Sequence, residues 1–203
     1  YEVALTKLAT VLAMSTTGSE PPQDLSRLAR GYEQGQLIPV QDLGFANPCG
    51  GVFSSANDMA KLLSFLLRDS APRDDASGQP MDSATVRRWL TDRAYINPSN
   101  LNCTHCTYYT EWGIPWQNLR VNNELMGNFS RFYLLSKDGS VPGYNSQMVL
   151  QPEMKLGIFT TMSTGGSREG PFFSDTLTAF AFGLLPRFYD YLAAQPQPTR
   201  LPP

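Results

Sequence analysis

The chain has 203 residues, 41% hydrophobic and 17% charged, with 16 Lys and Arg against 18 Asp and Glu for a net charge of −2. That length allows one domain with a real core, and the near-neutral balance argues against nucleic acid or an acidic membrane surface as partner. No apolar run reaches the roughly 18 residues that a bilayer demands, so no transmembrane segment is expected in it.

In chain order, the sequence starts at Tyr1 inside a helical pattern (Leu5, Leu8, Leu12). Ser54 is expected to cap a helix whose apolar face is Met59, Leu62, Leu63, Leu66 and Leu67, at i, i+3, i+4, i+7 and i+8 spacing. Asp58 falls in its first turns, where the helix dipole favours a carboxylate, so a structural role is preferred to a catalytic one. Residues 71–80 form a polar loop of Asp, Ser, Gly and Pro, and Ser83 caps a second, shorter helix through Trp89 and Leu90.

Asn97 to Thr110 reads as a long loop. Asn102-Cys103-Thr104 within it and Asn128-Phe129-Ser130 beyond it fit the glycosylation pattern, which makes Asn102 and Asn128 candidate acceptors. An oxidising compartment would favour a Cys103–Cys106 bridge, with Cys49 free or paired elsewhere; the expectation is an extracellular or lumenal protein. Cys103, His105 and Cys106 are three ligands where structural zinc takes four. A loop disulfide, or two unpaired loop thiols, is therefore preferred to a metal site, and no metal or cofactor is expected.

The aromatic and aliphatic stretch from Arg131 to Ser136 suits a strand, leading to Lys137-Asp138-Gly139-Ser140. An ammonium there stands close to a residue without a side chain, so a ligand can approach the backbone. Pro142-Gly143 breaks the strand, and Gln147 to Gln151 resumes it. Pro152-Glu153-Met154-Lys155 is a turn, with Pro suited to its second position, and Leu156 to Met162 is an apolar return strand. The whole is an antiparallel meander in which the lysine lies on a catalytic edge strand. Ser174 opens a last helix with Leu177, Phe180, Ala181, Leu184 and Leu185, ended by Pro186, whose apolar face should cover the strands around Met148, Leu150, Ile158 and Thr160. The tail from Gln195 to Pro203 is Pro-rich and expected to be disordered.

The block from Lys137 to Gly157 resembles the C-terminal part of the β-lactamase-related serine hydrolases: class C β-lactamases, penicillin-binding DD-peptidases and family VIII esterases. Asn47-Pro48-Cys49-Gly50-Gly51-Val52-Phe53-Ser54-Ser55-Ala56-Asn57-Asp58-Met59-Ala60 is similar to a second block of that family. Leu28-Ala29-Arg30-Gly31-Tyr32 is a third and Trp112-Gly113 a weaker fourth, in the family's order and spacing from about Leu8 to Met162. The family's Ser-x-x-Lys nucleophile motif occurs nowhere in the 203 residues. Its Tyr-x-Asn element should precede Gly50-Gly51, and the one match, Tyr95-Ile96-Asn97, follows it and reads as chance. Ser55-Ala56-Asn57 resembles a Ser-x-Asn element but sits at a helix cap.

The resemblance implies an α+β fold, an antiparallel sheet with flanking helices, as the C-terminal part of the β-lactamase/transpeptidase-like fold. Residues 1–194 would be one portion of a single domain and 195–203 a tail, with the nucleophile-bearing part upstream as the chain's first partner. The chain would supply part of a helical lobe, the last three strands of a five-stranded sheet and a closing helix. Its unpaired edge would leave it poorly soluble or marginally folded when expressed alone, which a cooperative melt would contradict. Lys137 would be the catalytic cation that attracts a substrate carboxylate and eases deprotonation of the Tyr or Ser. Gly139 would leave room for the acyl group, the Ser140 N–H would supply half of an oxyanion hole, and Asp138 and Tyr144 would contact substrate. Asp138 departs from the family's Thr or Ser, because an ionised Asp only accepts hydrogen bonds and repels a carboxylate. The expected activity is acyl-enzyme hydrolysis of a small ester, amide or peptide-like substrate, inactive in this chain alone; the alternative is a non-catalytic binding or assembly module.

Overall fold

The computed structural model describes residues 1–68, 81–91, 96–99, 108–112, 116–121, 133–152 and 155–164, together with 187, 190, 191 and 194. Helix α1 (Glu2–Val11) buries Ala9 and half-buries Leu5, Leu8 and Leu12, the face read from the sequence. A short hairpin follows, β1 (Gly31–Glu33) and β2 (Gln36–Ile38), which the sequence reading did not contain. Its two-residue turn places Gln34 and Gly35 at φ 50° and 75°, the paired left-handed conformation that matches strand twist in a type I′ turn.

The one-turn helix α2 (Asn47–Gly50) leads to α3 (Ala56–Leu66). The cap of α3 is Ser55, not Ser54: Ser55 has extended backbone, and its hydroxyl accepts the Asp58 N–H at 3.3 Å. Ser54 instead shares a 2.8 Å hydrogen bond with the Thr17 hydroxyl. Helix α4 (Ser83–Thr91) is capped one residue earlier than expected, by Asp82, whose carboxylate accepts the Thr85 N–H at 2.7 Å.

The sheet has six strands in sequence order, β3 (Ile96–Ser99), β4 (Tyr108–Trp112), β5 (Gln117–Val121), β6 (Tyr133–Val141), β7 (Tyr144–Gln151) and β8 (Leu156–Met162), every neighbour antiparallel. Three corrections follow. Among the described residues the sheet has six strands rather than three, because the ends of the expected 97–110 loop lie in β3 and β4 and a further strand, β5, follows them. Strand β6 is an interior strand that runs unbroken through Lys137 and Gly139, and Pro142-Gly143 is a hairpin turn rather than a kink. Gly143 has φ 80°, as the third position of a type II turn requires after Pro. In the β7–β8 turn the Lys155 N–H donates to the Pro152 carbonyl at 3.2 Å, so Pro152 holds the first position, not the second.

The core lies between this sheet and helices α3 and α4: Leu63, Phe65 and Leu66 meet Val86, Leu90, Trp116, Leu135 and Leu150. Burying each such side chain contributes about 2 kcal/mol. Phe65 lies outside the face read from the helical spacing, because α4 and the sheet together enclose more than one stripe of α3. Helix α3 lies directly on β8, where a Cβ on Gly157 would come within 3.0 Å of Leu67 Cδ1. The pairs Leu150↔Gly157 and Met148↔Phe159 put Met148 and Leu150 on this helix side, while Val149↔Ile158 and Gln147↔Thr160 face the other way. The helix read from Ser174 and the Pro-rich tail lie outside the described residues. Among the described residues no helix is long and apolar enough to cross a membrane.

Candidate active site

Successive side chains on a strand point to opposite faces. Lys137 and Gly139 therefore share the helix-side face with Leu135, opposite Met148, Ser146 and Leu150 of β7, while Asp138 and Ser140 face the other side. Pairing of β6 with β5 ends at Ser136↔Gln117. From Lys137 to Val141, β6 has no described partner on that side.

The direction of its backbone groups follows from β7. The Asn145 carbonyl accepts the Thr161 hydroxyl of β8 at 3.1 Å and so faces away from β6. In an antiparallel ladder this makes Ser140↔Asn145 a non-hydrogen-bonded pair. The N–H and C=O of Ser140, and by the same parity those of Asp138, then face away from β7, toward the edge of β6 that has no described partner. The Lys137 ammonium reaches this edge too: Nζ donates to the Asp138 carbonyl at 2.6 Å and pairs with its carboxylate at 3.1 Å. Both side chains stay well exposed, Lys137 at 46% and Asp138 at 42%. At Gly139 a Cβ would stand 3.1 Å from Ser146 Oγ, a close approach within the β6–β7 pair.

The three distant sequence blocks meet at the tip of the β6–β7 hairpin. The Tyr144 hydroxyl donates to the Ala29 carbonyl at 2.8 Å, and its ring lies on Gly31, where a Cβ would be only 2.8 Å away. Gly143 packs on Ile38 and on the Gly31 backbone, and Gly50 packs under Val141. Tyr144 is thereby a tie between the hairpin and the 28–32 segment. The Tyr32 N–H adds a 3.1 Å bond to the Ser163 carbonyl just past β8.

Behind Gly50 and Gly51, Asp58 anchors α3. This buried carboxylate accepts the Thr16 N–H and hydroxyl at 2.7 Å each, the Thr17 hydroxyl at 3.0 Å and the Lys61 ammonium at 2.9 Å. Burial alone would raise its pKa, but the hydrogen bonds from Lys61, Thr16 and Thr17 outweigh it and hold the carboxyl well below its ordinary value. The Lys61 ammonium also reaches the Ala13 carbonyl, where α1 has ended. Its role is structural, as read from the sequence, though the Thr16 and Thr17 partners carry no local signal.

Cys103, Cys106, Asn102 and Asn128 lie outside the described residues. Cys49 is exposed and its thiol donates to the Ala46 carbonyl at 3.0 Å. Among the described residues no three His, Cys, Asp or Glu side chains cluster as a metal site would need.

Helices laid on one face of an antiparallel sheet are the architecture of the β-lactamase fold, and solved structures of that fold superpose on the chain. A β-lactamase from a Sulfitobacter species superposes with a TM-score of 0.64 at 20% identity, over 96% of this chain and 54% of that one. A class C β-lactamase from Rhodobacter sphaeroides gives 0.54 at 21% identity, over 81% and 49%. No family model matches the chain. The human β-lactamase-like 1 protein is 29% identical over 162 residues, 79% of this chain and 28% of the human one. β-Lactamase-like protein 4 of Dictyostelium discoideum is 32% identical over 154 residues, 75% of this chain and 23% of that protein. The chain belongs to the β-lactamase-related family over the part that it spans. That part is about a quarter of these curated relatives and about half of the solved structures.

Proposed function

We propose that the chain is the sheet-bearing portion of a serine hydrolase that works through an acyl-enzyme. The observation that carries this reading is the half-strand from Lys137 to Ser140: a cation, a glycine and outward backbone N–H groups on an edge with no partner among the described residues, beside the helices. A serine hydroxyl is a weak nucleophile and needs a base or an electropositive site nearby. In this reading Lys137 supplies that positive charge, Gly139 admits the acyl group, and the Ser140 N–H stabilises the oxyanion, worth about 3 kcal/mol in the transition state. Asp138 shapes the charge at the substrate's far end, and Tyr144 acts chiefly by fixing the hairpin. The nucleophile is a serine outside these 203 residues.

The substrate is a small ester, amide or peptide-like acyl compound, and the setting is extracellular or lumenal, with Asn102 and Asn128 as acceptors of glycan. Turnover of a nitrophenyl ester by the native protein tests the role of Lys137. Lys137→Ala should lower kcat/KM by about 100-fold or more; an unchanged value in a folded variant removes Lys137 from the chemistry. The second reading is a non-catalytic binding module, favoured by the ion pair that leaves the Lys137 charge neutralised by its own neighbour.

A further inference from the structure

Neighbouring side chains on a strand diverge to opposite faces, so an ion pair between residues 137 and 138 can close only around the strand's edge. Among the described residues β6 has such an edge beyond Ser136, the last residue of its pairing with β5. Lys137 Nζ folds over it onto both oxygens that Asp138 offers, the carbonyl at 2.6 Å and the carboxylate at 3.1 Å. The same ammonium is the group to which an anionic end of a substrate would bind. Asp138 thus occupies, from within the chain, the place that a substrate carboxylate would take.

We infer that Asp138 is a specificity-determining residue that makes this edge select acyl substrates uncharged at the end held by Lys137. The inference rests on the hydrolase reading and names its substrate class. A carboxylate arriving at Lys137 has to displace an intramolecular carboxylate held at high effective concentration, and meets that carboxylate's charge when it does. A neutral amide or ester end does neither. It can accept a hydrogen bond from an ammonium whose charge is already balanced. The Asp138 carbonyl, engaged by the same ammonium, is less open to a partner pairing as an added strand.

Binding separates the possibilities without depending on turnover. The folded protein is titrated with N-acetyl-alanine, which ends in a carboxylate, and with N-acetyl-alanine amide, and the NMR shifts of the β6 residues are followed. Wild type, Asp138→Asn and Asp138→Thr are compared. Wild type should bind the amide at least as tightly as the acid, and both variants should move the affinity ratio toward the acid by about tenfold. A wild type that already prefers the acid, or a ratio unchanged in both variants, overturns the selection by Asp138 and leaves the hydrolase reading standing. Binding of neither compound by any of the three folded proteins removes this site and the hydrolase reading together.

Discussion

Asp58 shows what one buried charge does here. Its carboxylate is 2% exposed and collects donors from Thr16, Thr17 and Lys61, joining the end of α1 to α3 across about 40 residues of sequence. Removing the charge while keeping the shape, as in Asp58→Asn, leaves the Lys61 ammonium without its counter-charge and should cost about 2–4 kcal/mol at neutral pH. The pH dependence follows in sign. The folded pKa lies below the ordinary 3.8, so the stabilisation is complete above that value and is lost as pH falls through the folded one. Urea melts should therefore show the wild type approaching Asp58→Asn as the pH drops from about 5 to 2. A gap that stays constant across that range would contradict the account. The sequence placed Asp58 in the first turns of a helix, but its partners are set by the fold and left no trace in local spacing.

Among the elements, the β6–β7 hairpin and its clamp decide where Lys137 stands. Gly143 sits in the left-handed region at φ 80°, and a Cβ there would come within 2.7 Å of Ile38 Cδ1 and 2.9 Å of the Gly31 backbone. Gly143→Ala should cost about 2–4 kcal/mol and loosen amide protection at Val141 and Tyr144. Gly35→Ala is the control: its φ of 75° carries the same backbone strain with no atom within 4 Å, so it should cost about 1 kcal/mol. Equal costs would show that the clamp adds nothing. Helix α3 was legible because its apolar residues repeat at 3.6, and strands β6 to β8 because aromatic, aliphatic and β-branched runs lie between turn residues. The β1–β2 hairpin was not, since Gln34 gives no turn signal and its strands are three residues each. Strands β3 and β4 were hidden by Pro98 and by a run of polar residues, and the unbroken course of β6 was hidden by Gly139, which reads locally as a breaker.

For the molecule as a whole, sequence blocks far apart in the chain converge on the tip of the β6–β7 hairpin: the Tyr144–Ala29 hydrogen bond spans 115 residues. That convergence explains why the blocks could be recognised together while no one of them revealed the contact. The position of Lys137 beside a glycine was legible; its ion pair with Asp138 required the open edge, which only the strand register supplies. The account's central claim is that this edge serves a serine nucleophile. The most direct measurement is to label the native full-length protein with a fluorophosphonate and with a penicillin probe, and to map any adduct by mass spectrometry. An adduct on one serine outside these 203 residues, weakened by Lys137→Ala, is the predicted result. No adduct from either probe on folded protein, or one indifferent to Lys137→Ala, would contradict it and leave the binding module as the better description.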